Sequence, residues 1–249
     1  MMLAPCLPLV FLHGWGLSSA VWAATMARFS PEVFRQAIDL PGYGDSPSIT
    51  PYRVEALADA VAASITRPTA LIGWSLGGMV AQALAARHPH KVARLVLVST
   101  SPAFAARPDW PHAMAPALLD EFAHSLAEDF RATLLRFLSL QARGGDAARA
   151  VQGQLREQLR TQSQPKPADL AAGLELLRTV DLRDQAGRVG CPTLVVHGAR
   201  DLLCPPEAGK WLALHLPNAR LALHERAAHA PFLSHPDWCV AILKDFLHG

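Results

Sequence analysis

The chain has 249 residues, of which 51% are hydrophobic and 18% charged, so it is long enough for one large globular domain and too apolar for disorder. Its formal net charge is only +2, which gives no reason to expect a nucleic-acid partner or binding to a charged membrane surface. The cysteines Cys6, Cys191, Cys204 and Cys239 are far apart. This favours reduced thiols in the cytoplasm and argues against a structural zinc site.

The N-terminal stretch MMLAPCLPLVFLHGWG is apolar, and the first charged residue is Arg28. It lacks the basic start of a signal peptide, and no apolar run in the chain reaches the roughly 20 residues that span a bilayer. We therefore interpret the stretch as a core strand and expect a cytoplasmic protein that has no membrane anchor.

Six short apolar runs are typical of strands buried on both faces of a parallel sheet. In chain order they are LPLVFL (7–12), VFRQAID (33–39), TALIGW (69–74), ARLVLVS (93–99), PTLVVHG (192–198) and ARLALHE (219–225). Helical sequence lies between the first five runs and after the last. This alternation predicts an α/β fold, an open sheet with right-handed crossovers.

The alternation stops over residues 101–186, where no convincing strand occurs. Apolar residues recur there at helical spacing, which predicts one amphipathic helix or a kinked pair; they are Leu118, Phe122, Leu126, Phe130, Leu134 and Phe137. GDAARAVQGQLREQLRTQ and PADLAAGLELLRTV predict two further helices. We therefore expect a core of residues 1–100 and 187–249 that carries a helical cap of residues 101–186.

The stretch LIGWSLGGMV places Ser75 between Gly73 and Gly77, after a predicted strand and before a predicted helix. This is the context of the G-x-S-x-G nucleophile elbow, a strained turn that lifts a serine hydroxyl above the sheet. Glycine on both sides lets neighbouring backbone approach closely. We predict that Ser75 is a nucleophile; the alternative is a glycine-rich turn in which Ser75 is only the helix N-cap.

A serine nucleophile needs a histidine base, which comes late in the chain in this arrangement. The histidines in that part of the chain are His215, His224, His229 and His235. The stretch ERAAHAPFLSHPD favours His229, because small residues and a proline surround it in a loop after the last strand. His224 lies within a predicted strand and His235 precedes a proline at a helix start, so we expect structural roles for both.

The acid that orients the base is predicted to be Asp201, which follows the fifth strand in LVVHGARD. The order Ser75, Asp201, His229 is the nucleophile, acid, base order of this kind of fold. Asp201 as a turn residue or helix cap is the structural alternative, and Asp181 is a second choice for the acid.

An oxyanion needs hydrogen-bond donors, and we predict the backbone N–H groups of Leu76 and Trp15 for this role. Leu76 directly follows the nucleophile, and Trp15 lies in HGWG after the first strand. The Trp15 indole either lines an acyl pocket or belongs to the core, and the backbone role depends on neither.

The fragments HGWG, DLPGYGDS, GWSLGG, HGARD and AAHAPF together resemble the α/β-hydrolase superfamily over nearly the whole chain. The fragments SPAF, RFLSLQ, GLELLRTVDLR and AAHAPFLSHP resemble, more narrowly, the family of pimeloyl-[acyl-carrier protein] methyl ester esterases of biotin synthesis. The resemblance implies a mostly parallel sheet flanked by helices and a helical cap. Members of the family normally begin with an antiparallel hairpin, but the first strand here starts almost at residue 7. We therefore expect a shortened N-terminal edge of the sheet.

The resemblance also implies a substrate, a pimeloyl methyl ester bound to an acyl carrier protein. The residues that would contact it are Trp15, Ser75, Leu76, Phe137, Leu138, Ser139, Leu140, Gln141 and His229. Helix core within the cap is the alternative role of Phe137 and Leu138, because amphipathic spacing alone predicts it. We expect no metal, no organic cofactor and a monomer.

Arginines are concentrated in one part of the cap, with only Asp146 and Glu157 as acidic residues among them. They are Arg131, Arg136, Arg143, Arg149, Arg156 and Arg160. An acyl carrier protein is acidic, so a basic cap face would orient it. By resemblance, Arg136 and Arg149 are the docking residues; ordinary solvated helix faces are the alternative.

The predicted reaction is a two-step hydrolysis of a carboxylic ester with release of methanol. A broad-specificity esterase of small acyl esters is the nearest alternative, because the triad would be shared and only cap and pocket differ. Carbon–carbon bond hydrolases and aminopeptidases use the same apparatus and rank lower. A non-catalytic small-molecule receptor is the alternative from another class.

Overall fold

A six-stranded sheet forms the centre of the computed structural model, which describes residues 7–163 and 165–248. The strands are β1 (Leu9–Leu12), β2 (Arg35–Ile38), β3 (Thr69–Trp74), β4 (Val92–Val98), β5 (Thr193–Gly198) and β6 (Ala219–His224). Their order across the sheet is β2-β1-β3-β4-β5-β6, and every pair is parallel. This confirms the predicted α/β sheet.

Burial of the strands follows their place in the sheet. Every residue of β3 and β5 is buried, because helices cover both faces of the central strands. The outer strands β2 and β6 are mostly half-buried and contain the polar residues Arg35, Gln36 and Arg220. No antiparallel strand occurs within residues 7–163 and 165–248. Cys6 lies outside the described residues, and Cys191, Cys204 and Cys239 are free thiols.

The helices that pack on the sheet alternate with the strands. They are α1 (Ala23–Met26), α2 (Val54–Ala63), α3 (Leu76–Arg87), α8 (Pro206–His215), α9 (Pro231–Ser234) and α10 (Pro236–His248). Short 3₁₀ helices occur at Ser19–Trp22, Pro89–Lys91 and Arg183–Arg188. The sequence did not predict α8 between the last two strands, where Pro206 starts a helix that buries Ala208 and Leu212.

Four α-helices lie between β4 and β5 within residues 99–163 and 165–192, where the sequence predicted a helical cap. They are α4 (Pro116–Glu128), α5 (Phe130–Ala142), α6 (Ala148–Thr161) and α7 (Pro167–Thr179). The first two form the kinked pair rather than one helix. Asp129 has extended backbone and its carboxylate accepts a hydrogen bond from the Ala132 N–H at 3.0 Å, so it caps α5 and ends α4. The division into core and cap at residues 101 and 186 stays a prediction.

The parallel arrangement places the carboxyl ends of the strands at one edge of the sheet. Loops from β1, β3, β5 and β6 therefore meet there, together with the residues that follow β4. Ligands of open α/β sheets bind at this edge.

Candidate active site

Ser75 lies on the tight turn between β3 and α3. Its φ is 56° and its ψ −119°, a strained conformation for a residue with a Cβ. The neighbouring glycines are required by space, because a Cβ on Gly73 would lie 2.4 Å from the Gly77 carbonyl oxygen. A Cβ on Gly77 would lie 2.5 Å from the His13 carbonyl oxygen. The backbone therefore has the shape expected of a nucleophile elbow.

Hydrogen bonds hold this strained turn. The Ser75 N–H donates to the Val98 carbonyl at 3.0 Å, and the Thr100 hydroxyl donates to the Ser75 carbonyl at 2.7 Å. The Ser75 carbonyl also accepts from Gly78 and Met79 of the first turn of α3. Ser75 occupies the N-cap position of α3, but its side chain forms no capping hydrogen bond.

Asp201 and His229 form a buried pair. His229 Nδ1 lies 2.8 Å from Asp201 Oδ2, and neither side chain is exposed to solvent. Asp201 Oδ1 accepts from the N–H groups of Leu203 at 3.0 Å and Cys204 at 2.9 Å. Burial alone would raise the pKa of the Asp201 carboxyl, but attraction to His229 and hydrogen bonds from two histidines outweigh it and hold this pKa well below its usual range.

The loop that contains His229 is fixed from two sides. The His229 N–H donates to the carbonyl of Gln141 in α5 at 3.1 Å, and the Trp74 indole donates to the His229 carbonyl at 2.8 Å. Both Ser75 Oγ and His229 Nε2 are buried and have no hydrogen-bond partner among the described residues. The two atoms that a serine and its base would use are therefore free of other partners.

The HGWG loop lies against the nucleophile turn, since a Cβ on Gly14 would be 3.2 Å from that of Ser75. His13 organises this loop. Its Nδ1 donates to the Gly14 carbonyl at 2.8 Å, and its Nε2 accepts from the Leu40 N–H at 3.0 Å. Burial lowers the pKa of His13 to about 4, against smaller opposing effects of the Gly14 carbonyl and Asp39. His13 is therefore a neutral bridge between two loops.

The N–H groups predicted for the oxyanion belong to Leu76 and Trp15. Leu76 is the first residue of α3, where backbone N–H groups have no intrahelical acceptor. Within the described part of the chain, neither N–H donates to a carbonyl of another element. Both therefore remain available to an oxygen atom of a substrate.

The Trp15 side chain packs under the cap. Its indole donates to the Leu170 carbonyl of α7 at 2.9 Å, and its ring meets Phe137 edge to face at 4.7 Å between centroids. Phe137 also packs on Phe122 of α4 at 5.5 Å. The Trp15–Phe137 ring contact and the bond to Leu170 both join the HGWG loop to the cap. Cap core therefore explains the Trp15 and Phe137 side chains as well as a pocket wall does.

The other residues predicted to contact substrate, 138–141, differ in their burial and hydrogen bonding. Leu138 is buried and Leu140 is half-buried. The Ser139 hydroxyl donates to the Leu135 carbonyl of its own helix at 2.9 Å. Gln141 is 1% exposed, yet neither polar atom of its amide has a partner among the described residues. Gln141 is thus the member of the segment with unused hydrogen-bonding capacity.

The alternative residues have other partners. The His224 and His235 rings pack in a tilted arrangement with centroids 3.8 Å apart, and His235 Nε2 lies 3.2 Å from Asp146 Oδ1. His215 packs on Trp211 with 3.9 Å between ring centroids. Asp181 pairs with Arg183 at 2.7 Å. These contacts give each of them a structural role.

Sequence reasoning missed two residues at the sheet edge. Thr100 donates to the Ser75 carbonyl, and its position two residues after β4 is the sequence signal for it. His197 is fully buried, with Nε2 3.5 Å from Asp201 Oδ2. It is part of the HGARD fragment, but a buried strand histidine has no distinctive local pattern.

The two predicted docking arginines differ in their surroundings. Arg136 Nη1 lies 2.8 Å from Glu121 Oε1, and its guanidinium is 5.1 Å from the Phe122 ring centroid. Arg149 is exposed in the first turn of α6. It forms no ion pair with any residue that the structure describes.

Comparison with known proteins decides the family. The family model described as alpha/beta hydrolase fold matches residues 8–236. The chain belongs to the α/β-hydrolase family. This confirms the fold and the serine-hydrolase class predicted from the motifs, whereas the roles of individual residues stay predictions.

Several relatives cover almost the whole hydrolase. A pimeloyl-[acyl-carrier protein] methyl ester esterase from Aromatoleum aromaticum is 44% identical over 97% of this chain and 98% of that protein. An esterase of the same name from Chromobacterium violaceum is 44% identical over 96% of this chain and 93% of that protein. Among solved structures, an esterase from Exiguobacterium antarcticum has a TM-score of 0.88 at 24% identity, covering 99% of the hydrolase and 94% of that chain. The last likeness establishes the fold alone.

Neither a membrane span nor a metal site is found in the described parts of the hydrolase. None of its helices there is both long and apolar enough to cross a bilayer. Over the same residues, no three His, Cys, Asp or Glu side chains are gathered so that they could hold a metal ion. Independence of metals and cofactors stays a prediction.

Proposed function

We propose that the hydrolase cleaves the methyl ester of pimeloyl-[acyl-carrier protein] and releases methanol, an activity that serves biotin synthesis. The observation that carries this proposal is the 44% identity to two esterases of that name over nearly the full chain. The buried Asp201–His229 pair and the strained Ser75, whose neighbour Trp74 donates to the His229 carbonyl, support acyl-ester chemistry in particular.

In the first step, His229 Nε2 accepts the proton of the Ser75 hydroxyl while Oγ attacks the ester carbonyl carbon. The carbonyl oxygen becomes an oxyanion, which the N–H groups of Leu76 and Trp15 hold. Asp201 stabilises the imidazolium through its hydrogen bond to Nδ1. When the intermediate collapses, the bond between carbon and methoxy oxygen breaks, and His229 gives its proton to the departing methanol.

In the second step, water cleaves the acyl-enzyme. His229 accepts one water proton as the water oxygen attacks the acyl carbon, and the same two N–H groups hold the second oxyanion. The bond to Ser75 Oγ then breaks, and His229 returns the proton to the serine. The product is the carrier-bound acyl chain, which now ends in a free carboxyl group.

The acyl chain is proposed to run under the cap along Trp15, Phe137 and Gln141. The two aromatic rings supply apolar surface, and the buried Gln141 amide is the polar group there without a partner among the described residues. A buried amide without a partner is unfavourable, so a polar atom of the substrate that bonds it would gain affinity.

Carrier-protein docking is proposed for the arginine-rich face of α5 and α6. Arg149 is free of ion pairs with described residues, so it is available to an acidic partner. Arg136 already pairs with Glu121, but an exposed pair of this kind contributes little to stability. A carboxylate of the carrier protein can therefore replace Glu121 as the partner of Arg136 at little cost in free energy.

The deciding experiment measures methanol release from pimeloyl-carrier-protein methyl ester and from monomethyl pimelate, with Ser75→Ala and Ser99→Ala as a matched pair. Both serines are buried with positive φ, 56° and 43°, and neither hydroxyl has a partner among the described residues. We expect preference for the carrier-bound ester, loss of turnover in Ser75→Ala and retention in Ser99→Ala.

Other outcomes contradict the proposal. Equal or better turnover of the free ester would make the hydrolase a broad-specificity esterase. Tight binding of either ester without Ser75-dependent turnover would make it a receptor.

A further inference from the structure

A second histidine lies beside the proposed catalytic acid. His197 of β5 is fully buried, and its Nε2 is 2.8 Å from the Cys204 carbonyl oxygen and 3.5 Å from Asp201 Oδ2. Both oxygens can only accept, so Nε2 carries the proton. His197 Nδ1 faces Gly209 of α8, where a Cβ would be 2.6 Å away, and it has no partner among the described residues. Nε2 is therefore the donor of the ring, and Nδ1 has no acceptor within reach among the described residues.

His197 and Asp201 are connected through both ends of one residue. The Cys204 N–H donates to Asp201 Oδ1 at 2.9 Å, and the Cys204 carbonyl accepts from His197 at 2.8 Å. His197 Nε2 also lies 3.5 Å from Asp201 Oδ2, so the three residues contact one another in a closed cycle. The turn of residues 201–204 cannot rotate without breaking at least one of these contacts.

We propose that His197 is a positioning residue. It keeps the Asp201 carboxylate oriented toward His229 and weakens the electrostatic attraction between that carboxylate and the His229 imidazole. The inference rests on the proposed triad and deepens it. Asp201 Oδ2 accepts from His229 at 2.8 Å, and a second N–H near the same oxygen spreads its negative charge over two donors. Loss of that N–H leaves more charge for His229 alone, so the imidazolium becomes more stable.

Two substitutions separate positioning from simple core filling. His197→Phe keeps a planar ring but has no donor, whereas His197→Gln keeps a side-chain N–H. The first readout is kcat/KM on a small ester from about pH 5 to 9, since its acid limb reports the essential base. The second is the proton NMR frequency of the His229 Nδ1 proton, which needs neither substrate nor turnover.

We expect His197→Phe to lower kcat by about 10- to 100-fold. It should also move the acid limb to higher pH and shift the His229 Nδ1 resonance, while His197→Gln restores most of each property. Unchanged acid limbs and resonances in both variants, with a lower melting temperature only, would overturn the inference.

The two proposals fail differently. If the carrier-bound ester is not the substrate, the small-ester profile and the NMR signal still report on His197. If the wild-type protein hydrolyses nothing, the NMR comparison alone decides the inference.

Discussion

The sheet edge and the cap contribute to the same site but are built differently. At the sheet edge, backbone atoms occupy the space that a side chain on Gly77 would need. A Cβ on Gly77 would lie 2.6 Å from the Leu12 carbonyl oxygen. In the cap, a Cβ on Gly153 of α6 would have nothing within 4 Å. The edge therefore specifies its residues through close backbone packing, whereas the cap tolerates change on its outer surface.

Charged side chains also differ between the two regions: the sheet edge buries a charged group, whereas ion pairs of the cap are exposed. Asp201 is enclosed by two histidines and two backbone N–H groups. Cap ion pairs such as Arg160–Glu157 lie on exposed side chains, where they contribute little to stability. Substitutions at the edge should therefore have large effects, and those on the cap surface should act mainly on partners.

The largest expected effect comes from the acid. Asp201→Asn keeps the shape of the side chain but removes its charge, and kcat should fall by about 10⁴-fold. Asp181→Asn is the matched control, because Asp181 is paired with Arg183 instead. Steady-state kinetics on a small ester measures both, and equal losses in the two variants would contradict the assignment.

Glycine replacement tests the contrast in packing. Gly77→Ala should lower the free energy of unfolding by about 3 kcal/mol or more, because backbone must move to admit the methyl group. Gly153→Ala should raise it by about 0.5–1 kcal/mol, since alanine favours a helix interior. Urea denaturation of both variants is the measurement. A Gly77→Ala protein as stable as wild type would show that the edge is more adaptable than its distances indicate.

The pH dependence of stability tests the buried His13. Burial lowers its pKa from 6.5 to about 4 on folding, so the unfolded chain binds the proton first. The stability due to neutral His13 is present above about pH 6.5 and is lost as pH falls toward 4. Between pH 7 and 5 this amounts to about 2 kcal/mol.

Urea denaturation at the two pH values should therefore give a smaller loss in His13→Gln than in wild type. His124→Gln is the control from the cap, where His124 is exposed on α4. If His13→Gln loses as much stability as wild type, His13 is not the source of the effect.

The smallest expected effect is on the cap surface. The double variant Arg136→Glu and Arg149→Glu should reduce kcat/KM for the carrier-bound ester by about tenfold, with a weaker dependence on salt. Turnover of monomethyl pimelate should stay the same. Arg188→Glu, which changes an exposed charge at the end of the 3₁₀ helix Arg183–Arg188, is the control. Equal losses on both esters would exclude docking at this face.

Sequence patterns predicted the features that depend on local order. Apolar runs located the strands, and G-x-S-x-G located the turn at Ser75, because its flanking glycines are required by the turn itself. The kink at Asp129 was left open, since apolar spacing continues across it and only the cap bond to Ala132 decides it. His197 could not be found, because its role depends on a turn that approaches it only in the folded chain.

The hydrogen bond from the His229 N–H to the Gln141 carbonyl has a consequence for how such enzymes change over evolution. Helix α5 anchors the loop that carries His229, the proposed base, so the cap also contributes to the position of that histidine. Replacement of the cap would remove this hydrogen bond unless the new segment placed a carbonyl at the same point. Diversification should therefore proceed by residue changes along α5 and α6 more readily than by exchange of the whole insertion.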